Sequence, residues 1–164
     1  MMKKIKRLKM LVLAFMMLTL LSGCNDGLAV NHFVKGSFNQ IKAHYQGQAH
    51  IIMFWSKDCA YCLKELAFLG DNLNNYPTVK LTTISTDIFL DKAAVQQQME
   101  ASKLDVVDAW VFSDAVAQKL YFDVDPRWHG ELPLMYLIKP DRTIERQVGY
   151  MKQEDLLAWL KAAS

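Results

Sequence analysis

The sequence predicts an α/β domain in which strands alternate with helices and a hairpin precedes the last helix. Three observations carry this prediction. Short runs at 50–55, 79–85 and 134–138 have the length and composition of strands, and the first and third are mainly apolar. Segments with apolar residues at helical spacing follow the first two runs. The Lys-Pro-Asp-Arg segment at 139–142 is typical of a turn, and it joins the third run to an alternating strand at 143–149.

Each predicted element has a local reason in the sequence. Residues 25–36 show no firm period, so we interpret 24–36 as a tether to a domain over 37–164. Serine and aspartate are favoured helix caps, and glycine favours a helix end. In chain order the elements are a helix capped by Ser37 and closed by Gly47, strand His50–Trp55, a helix from Cys59, strand Val79–Ser85, a helix over 91–102, strand Val107–Phe112, a short helix capped by Asp114, strand Leu134–Ile138, strand Thr143–Gly149 and a helix over 153–162.

The N-terminal segment has the three parts of an export signal. Basic residues lie within 3–9, an apolar run covers 10–21, and a Leu-Ser-Gly-Cys motif ends at Cys24. The run is too short to span a bilayer comfortably, because a spanning helix needs about 20 apolar residues. The motif resembles the bacterial lipobox, which implies a lipoprotein signal peptide over 1–23 and a lipid on Cys24. The alternatives are an ordinary signal peptide or an uncleaved anchor.

Charge and the lipobox together indicate partners and location. The chain has 19 basic and 17 acidic residues. Residues 1–23 hold five of the basic residues and none of the acidic ones, so the remainder is acidic overall. No basic cluster remains there, and we expect no nucleic-acid partner. We expect no cofactor and no metal, and an envelope protein that faces the periplasm, with Asn25 favouring the outer membrane.

The most informative motif is a pair of cysteines, Cys59 and Cys62, directly after the apolar run at 50–55. Leucines at 63, 66, 69 and 73 have helical spacing, so Cys59 is expected at a helix start and Cys62 one turn later. Backbone N–H groups and the helix dipole favour a thiolate at that start. With Cys24 assigned to the lipid, this is the only free thiol pair. Taken alone, the Cys-x-x-Cys spacing also fits half of a zinc site.

The cysteine motif has a specific context along the chain. A strand leads into Trp-x-x-x-Cys-x-x-Cys at 55–62, a long helix follows, and Gly-Glu-Leu-Pro at 130–133 precedes the hairpin and the closing helix. Together these resemble the thioredoxin fold, and within it the membrane-tethered TlpA/ResA group of extracytoplasmic thiol-disulfide oxidoreductases. The resemblance covers about 37–163. It implies a thioredoxin-like fold with a central mixed sheet flanked by helices, and an insertion at about 87–122 between the second strand and the C-terminal hairpin.

The resemblance implies catalytic roles for Cys59, Cys62 and Pro133. Cys59 would attack a substrate disulfide as a thiolate, and the buried Cys62 would attack Cys59 to release the reduced substrate. Pro133 corresponds to the family's cis-proline beside the disulfide, and Leu132 would present its backbone to an extended substrate segment. The alternative is a trans proline at a strand start, because cis bonds are uncommon.

An acidic residue, Glu65, lies three positions after Cys62 and matches an acid at that spacing in ResA-like proteins. If Glu65 is partly buried, its pKa rises and it can pass protons to or from the cysteines. The alternative is a solvated helix carboxylate. Thioredoxin carries a buried Asp where this chain has Met53, which again favours Glu65. Asp58 would raise the pKa of Cys59 if it were close and poorly solvated, so the direction of electron flow stays open.

Four aromatic or histidine side chains are weaker candidates for the site. We predict that Tyr61, between the cysteines, is exposed and touches the substrate. Trp55 is a candidate for the rim of the site, although an aromatic at a strand end is equally typical of a core. Trp128 and His129 lie shortly before Pro133; the alternatives for them are a loop tryptophan packed for stability and a solvated histidine.

The leading functional hypothesis is a lipid-anchored thiol-disulfide oxidoreductase that reduces protein disulfides in the periplasm. It would need electrons from a membrane or periplasmic donor, because its surroundings are oxidising. One alternative is a Sco-like copper-binding chaperone on the same fold, with His129 beside two thiolates. Another is a disulfide oxidant or isomerase with the same dithiol. Structural zinc is less expected, because it takes four ligands.

Overall fold

The computed structural model of the protein describes residues 28–104 and 107–164. The predicted signal peptide, Cys24 and Asn25 lie outside the described residues. Within them, no helix is both long and apolar enough to cross a membrane. The elements are β1 Val30–Phe33, α1 Ser37–His44, β2 His50–Trp55, α2 Ala60–Asn72, β3 Lys80–Ser85, α3 Lys92–Ala101, β4 Asp108–Phe112, α4 Ala117–Val124, β5 Leu134–Ile138, β6 Ile144–Val148 and α5 Gln153–Ala163.

The strands form one mixed sheet in the order β1-β4-β3-β2-β5-β6. The first four strands of this order, β1, β4, β3 and β2, are parallel to one another. Strand β5 pairs antiparallel with β2 and with β6. Every residue of β2 is buried, as expected for a strand inside a sheet that is covered on both faces. The α/β prediction with a central mixed sheet flanked by helices is confirmed.

The two faces of the sheet carry chemically different cores. Because successive side chains of a strand point to opposite faces, Met53 and Trp55 of β2 belong to one cluster while Phe54 belongs to the other. The first face packs mainly aliphatic residues of α2, α3 and α5. The second packs α1 and α4 through an aromatic cluster, in which Phe54 lies 4.8 Å from Trp128 between ring centroids.

Residues 30–33 correct the predicted tether over 24–36. They form β1, which pairs in parallel with β4 at the sheet edge, and Phe33 is completely buried. The domain therefore begins at or before Val30 rather than at residue 37. The strand is short, its central residues Asn31 and His32 are polar and exposed, and its partner is far along the chain. Its four residues do not show a repeating apolar pattern from which a strand could be predicted.

Two predicted helix caps differ from the structure. The first helix is capped by Gly36, while the Ser37 hydroxyl accepts a hydrogen bond from the Val34 N–H at 3.0 Å. Asp114 accepts from the Val116 N–H at 2.9 Å, which forms a turn, and α4 starts only after it. The insertion at 87–122 contains α3, β4 and part of α4, so it extends the sheet beyond β3.

Candidate active site

The two cysteines lie where β2 ends and α2 begins. Cys59 is the N-cap residue of α2, and its sulfur accepts a hydrogen bond from the Cys62 N–H at 3.2 Å. The two residues form a disulfide, with their Cα atoms 5.2 Å apart. Cys59 is partly exposed and Cys62 is completely buried. Only the Cys59 sulfur is therefore open to an incoming reactant, at the helix terminus that favours an anion.

The loop before Cys59 is held by Asp87, a residue that was not predicted from the sequence to belong to the site. The Asp87 carboxylate accepts hydrogen bonds from the Ser56 hydroxyl and the Lys57 N–H, each at 2.8 Å. These bonds join the cysteine loop to the end of β3. The signal that could have predicted this role is a polar residue just after a buried strand. The parallel strands β2 and β3 end side by side, so a residue that follows β3 lies near the loop that follows β2.

Asp58, the acid next to Cys59, points into solvent. Its side chain is 80% exposed and pairs with the ammonium group of Lys57 at 3.3 Å. An exposed carboxylate with a cation beside it acts weakly on its neighbours, since solvent screens its charge. The sequence hypothesis that Asp58 raises the pKa of Cys59 required a poorly solvated carboxylate, and this one is well solvated.

Pro133 follows a cis peptide bond, as predicted. The Leu132–Pro133 bond is the cis bond of the described residues. Because Leu134 is in register with Phe54 of β2, Pro133 lies beside the end of β2, where the cysteine loop begins. Pro133 is buried and Leu132 is half-buried. The Pro133 carbonyl accepts from the Gly149 N–H at 2.8 Å, which ties this loop to the end of β6.

Glu65 is a buried carboxyl group on the same face of α2 as Cys62. Its side chain is only 1% exposed, and burial raises the pKa of Glu65 to about 7. One oxygen, Oε1, accepts from the Met151 N–H at 2.6 Å, and this bond partly offsets the increase. The other oxygen, Oε2, is buried without a hydrogen-bond partner. A carboxyl group with this pKa exchanges its proton near neutral pH.

Three consecutive residues, Gly149 to Met151, contact three parts of the site. The first bonds the Pro133 carbonyl and the last bonds Glu65. Between them, the ring of Tyr150 packs against the ring of Tyr61, with centroids 5.6 Å apart. This segment could not be predicted from the sequence, because nothing in its local pattern shows that it lies against α2.

The remaining candidates divide into exposed and buried residues. Tyr61 is 58% exposed, with the Lys64 ammonium 5.4 Å from its ring centroid. Trp55 is completely buried in the aliphatic core, which contradicts its candidate role at the substrate-binding rim and agrees with the core alternative.

Trp128 and His129, the two candidates before Pro133, differ in their surroundings. Trp128 is buried on the aromatic face, and its Nε1 donates to the Glu131 carbonyl at 2.9 Å. The His129 side chain is exposed. Among the described residues, no group of three or more His, Cys, Asp or Glu side chains is arranged to hold a metal ion. Within these residues His129 is therefore not grouped with Cys59 and Cys62 in the way that the copper-chaperone alternative requires.

Comparisons with known proteins give matches among solved structures. No protein-family model matches the chain, and no curated protein sequence does.

The chain resembles a secreted disulfide oxidoreductase of Mycobacterium tuberculosis, homologous to Escherichia coli DsbE, at 22% identity over 73% of this chain and 85% of that one, with a TM-score of 0.57. It also resembles a thioredoxin-family thiol:disulfide interchange protein of Chlorobium tepidum at 14% identity over 74% and 83%, with a TM-score of 0.59. A third similar structure is StoA of Bacillus subtilis, at 24% identity over 70% and 83%, with a TM-score of 0.50. The fold is thioredoxin-like, as the sequence predicted.

Proposed function

We propose that the protein is a thiol-disulfide oxidoreductase that acts through Cys59 and Cys62. The observation that carries this proposal is the disulfide at the start of α2, in which one sulfur is accessible and the other is buried. Attack on an external disulfide and release of the product need two such thiols in contact. The names of the first two structural neighbours agree with this chemistry.

Transfer of two electrons to a client follows from this arrangement. The Cys59 thiolate attacks one client sulfur, forming a mixed disulfide and breaking the client's S–S bond. The Cys62 thiol then loses its proton and attacks the Cys59 sulfur, which restores the internal disulfide and releases the second client thiolate. The client gains two electrons and, after protonation, two thiols.

In this reaction Glu65 is the group that takes the proton from Cys62. Residues three apart on a helix are neighbours, with Cβ atoms about 5–6 Å apart, and both side chains are buried. A carboxyl group with a pKa of about 7 can accept a proton and return it within one catalytic cycle near neutral pH. The unpartnered oxygen, Oε2, is free to receive it.

Client binding is assigned to the rim around Cys59. Leu132, next to the cis bond, offers its backbone to an extended segment of the client at the same sheet edge. Tyr61, which lies between the two cysteines, adds an exposed ring. These contacts are mainly to backbone and to apolar surface, which suits protein clients of varied sequence.

The direction we propose is reduction of client disulfides in the periplasm by a lipid-anchored protein. The basic and apolar leader and the lipobox-like motif at Cys24 support the anchor, and Asn25 favours the outer membrane. The secreted M. tuberculosis neighbour agrees with a location outside the cytoplasm. A reductant in an oxidising compartment requires a membrane or periplasmic electron donor.

The dithiol assignment is tested by insulin-disulfide reduction with Cys59→Ser and Cys62→Ser variants. Cys59→Ser is expected to abolish turnover, because the attacking sulfur is gone. Cys62→Ser is expected to accumulate a mixed disulfide between Cys59 and the client, visible by mass spectrometry. A Cys24→Ser variant is the matched control and should keep full activity while losing membrane attachment. Unchanged turnover in Cys59→Ser would refute the assignment.

The reduction potential of the Cys59/Cys62 couple decides between a reductant and an oxidant with the same dithiol. A value near that of thioredoxin, about −270 mV, supports the reductant, and a value near that of DsbA, about −120 mV, supports the oxidant. Equilibration with glutathione or dithiothreitol buffers, followed by thiol alkylation, measures it. We expect the lower value.

A further inference from the structure

A turn with two large apolar side chains at its tip lies next to the cysteine loop. It covers residues 87–90, between the end of β3 and the start of α3. The Leu90 N–H donates to the Asp87 carbonyl at 3.1 Å, so Ile88 and Phe89 are the two central residues of a β-turn. Their side chains are 38% and 61% exposed. Two adjacent large apolar side chains are thus in contact with solvent at a position where small or polar residues are usual.

The backbone of Phe89 has a conformation that this residue type rarely adopts. Its φ is 53°, and a positive φ at the third position of a turn favours glycine or asparagine, because a bulky side chain is crowded there. The Phe89 N–H donates to the Phe112 carbonyl at the end of β4, at 2.8 Å, which fixes the turn on the sheet. An exposed ring and a left-handed backbone are both unfavourable for the stability of the domain alone. Their combination favours a role in binding.

The turn and the Leu132 backbone flank the dithiol on opposite sides. The sheet order places β3 on one side of β2 and β5 on the other. At the start of the turn, the Asp87 carboxylate accepts from the Lys57 N–H at 2.8 Å, two residues before Cys59. On the other side, Leu132 precedes β5, whose start lies beside the end of β2. Because neighbouring strands are spaced by about 4.8 Å, the two flanks are about 10 Å apart across the sheet.

Exposed apolar residues continue along this edge of the sheet, away from the dithiol. Strands β3, β4 and β1 are parallel neighbours in that order, so they end at the same edge. Val116 follows β4 after a short turn, Val34 directly follows β1, and both are exposed. An extended peptide on the Leu132 backbone has the width of about one strand, so it does not cover both flanks of the dithiol. The surface of a folded protein is wide enough to do so.

We propose that the Ile88–Phe89 turn is a docking element for folded protein partners that exchange electrons with Cys59. This inference rests on the proposed thiol-disulfide exchange at Cys59 and adds a second contact to the Leu132 backbone. The partner contributes an apolar patch, which covers the Phe89 ring when the partner's sulfur reaches Cys59. Small disulfides and short peptides reach Cys59 without covering the turn. The turn therefore selects folded partners by affinity and leaves the chemistry at the sulfur unchanged.

Oxidation of the pre-reduced full-length protein by three probes tests the proposal. The probes are folded insulin, a short linear peptide that carries a mixed disulfide with glutathione, and glutathione disulfide, and thiol alkylation gives the second-order rate constant for each. Phe89→Asn removes the ring, and asparagine suits the left-handed backbone, so the variant is expected to fold. Its rate constant with insulin should fall about tenfold, or about 1.4 kcal/mol, because an apolar contact is lost. Its rate constants with the two small probes should not change.

Two further variants separate the docking contact from other effects. Ile144→Asn is the matched control, because Ile144 is exposed and is in register with Ile138 at the opposite end of the sheet. It should leave all three rate constants unchanged. Phe89→Tyr keeps the ring and should react with insulin as the unaltered protein does.

The inference is overturned if Phe89→Asn reacts with insulin at the unaltered rate, or if its reaction with either small probe slows equally. In the second case the ring would act on the dithiol or on extended segments, and not on a folded partner. An equal loss in Ile144→Asn would likewise reject a local docking site. Failure of the proposed function gives a different result, in which the unaltered protein is oxidised by none of the three probes, and the inference then falls with it.

Discussion

Glu65 and His50 are two buried ionisable side chains at opposite ends of the same sheet, and burial acts on them in opposite directions. It raises the pKa of Glu65 to about 7 and lowers the pKa of His50 to about 4. In both cases the uncharged form is favoured, because a charge is poorly solvated inside the protein. The consequences differ because the starting values differ. The shift brings the pKa of Glu65 to neutral pH, while it takes the pKa of His50 further from neutral pH.

This difference separates a proton carrier from a fixed hydrogen-bonding group. Glu65 has one oxygen bonded to the Met151 N–H and one without a partner, so its proton can enter and leave. His50 has its Nε2 2.9 Å from the Thr82 hydroxyl, and with a pKa of about 4 its ring stays neutral over the physiological range. Equal burial therefore does not imply an equal role. The position of the pKa relative to the working pH decides it.

The largest expected effect is an opposite pH dependence of stability in two variants. The pKa of Glu65 is raised in the folded protein. Its contribution to the free energy of unfolding is therefore complete below about pH 4.5 and is lost as the pH rises through about 7. The change is about 3 kcal/mol, from 1.4 kcal/mol per pKa unit. Relative to Glu65→Gln, the unaltered protein should therefore lose about 3 kcal/mol of unfolding free energy over that range.

For His50 the sign is reversed. The pKa of His50 is lowered in the folded protein. Its contribution to the free energy of unfolding is therefore complete above about pH 6.5 and is lost as the pH falls through about 4. Relative to His50→Gln, whose amide N–H can still reach Thr82, the unaltered protein should lose about 3 kcal/mol on acidification. Urea unfolding of the oxidised protein between about pH 4 and 8 measures both slopes. Parallel curves for the three proteins would contradict the assigned burial of both groups.

The next effect concerns catalysis and separates the two ends of the molecule. Glu65→Gln keeps an acceptor for the Met151 N–H but has no titratable proton. We expect insulin reduction near pH 7 to slow by about a hundredfold, as for loss of a general base, with loss of the rate inflection near that pH. His50→Gln and the exposed Glu100→Gln should stay within about twofold, since neither touches the dithiol. Comparable losses in Glu65→Gln and His50→Gln would indicate a general structural defect.

The smallest effect concerns the ring of Tyr150, which packs on Tyr61 beside the cysteines. Tyr150→Ala leaves the backbone bonds of Gly149 and Met151 in place but removes an aromatic contact of about 1 kcal/mol. We expect KM for a protein client to rise about fivefold with little change in kcat. Tyr150→Phe, which keeps the ring, is the matched control. A large fall in kcat in Tyr150→Ala would mean that the ring acts on the dithiol itself.

Local patterns predicted most of the elements, because each depends on neighbouring residues. The bounds of β2 and β5 agree with the structure at both ends, and α5 differs by one residue. The N-cap position of Cys59 also followed from the leucine spacing of α2. In contrast, β1 was assigned to a tether, since its only reason to be a strand is its pairing with β4.

The site itself was predictable in composition but not in environment. Cys59, Cys62 and the cis bond before Pro133 were inferred from motifs and from the resemblance. Whether Glu65 is buried could not be inferred from helical periodicity, because the answer depends on Met151, which is 86 positions away along the chain. For Trp55 the sequence left the rim and the core open, and the structure places it in the core.

The sequence alone determined the order of the strands and helices from α1 onward, the cysteine pair at a helix start and the acidic residue one turn beyond it. These features depend on short-range spacing and on backbone chemistry. Only the tertiary structure decided the edge position of β1, the contact of the Gly149-to-Met151 segment with the site, and the surroundings of Glu65 and His50. Their proton affinities depend on desolvation, and desolvation is produced by segments that are distant in the chain and packed together in the fold.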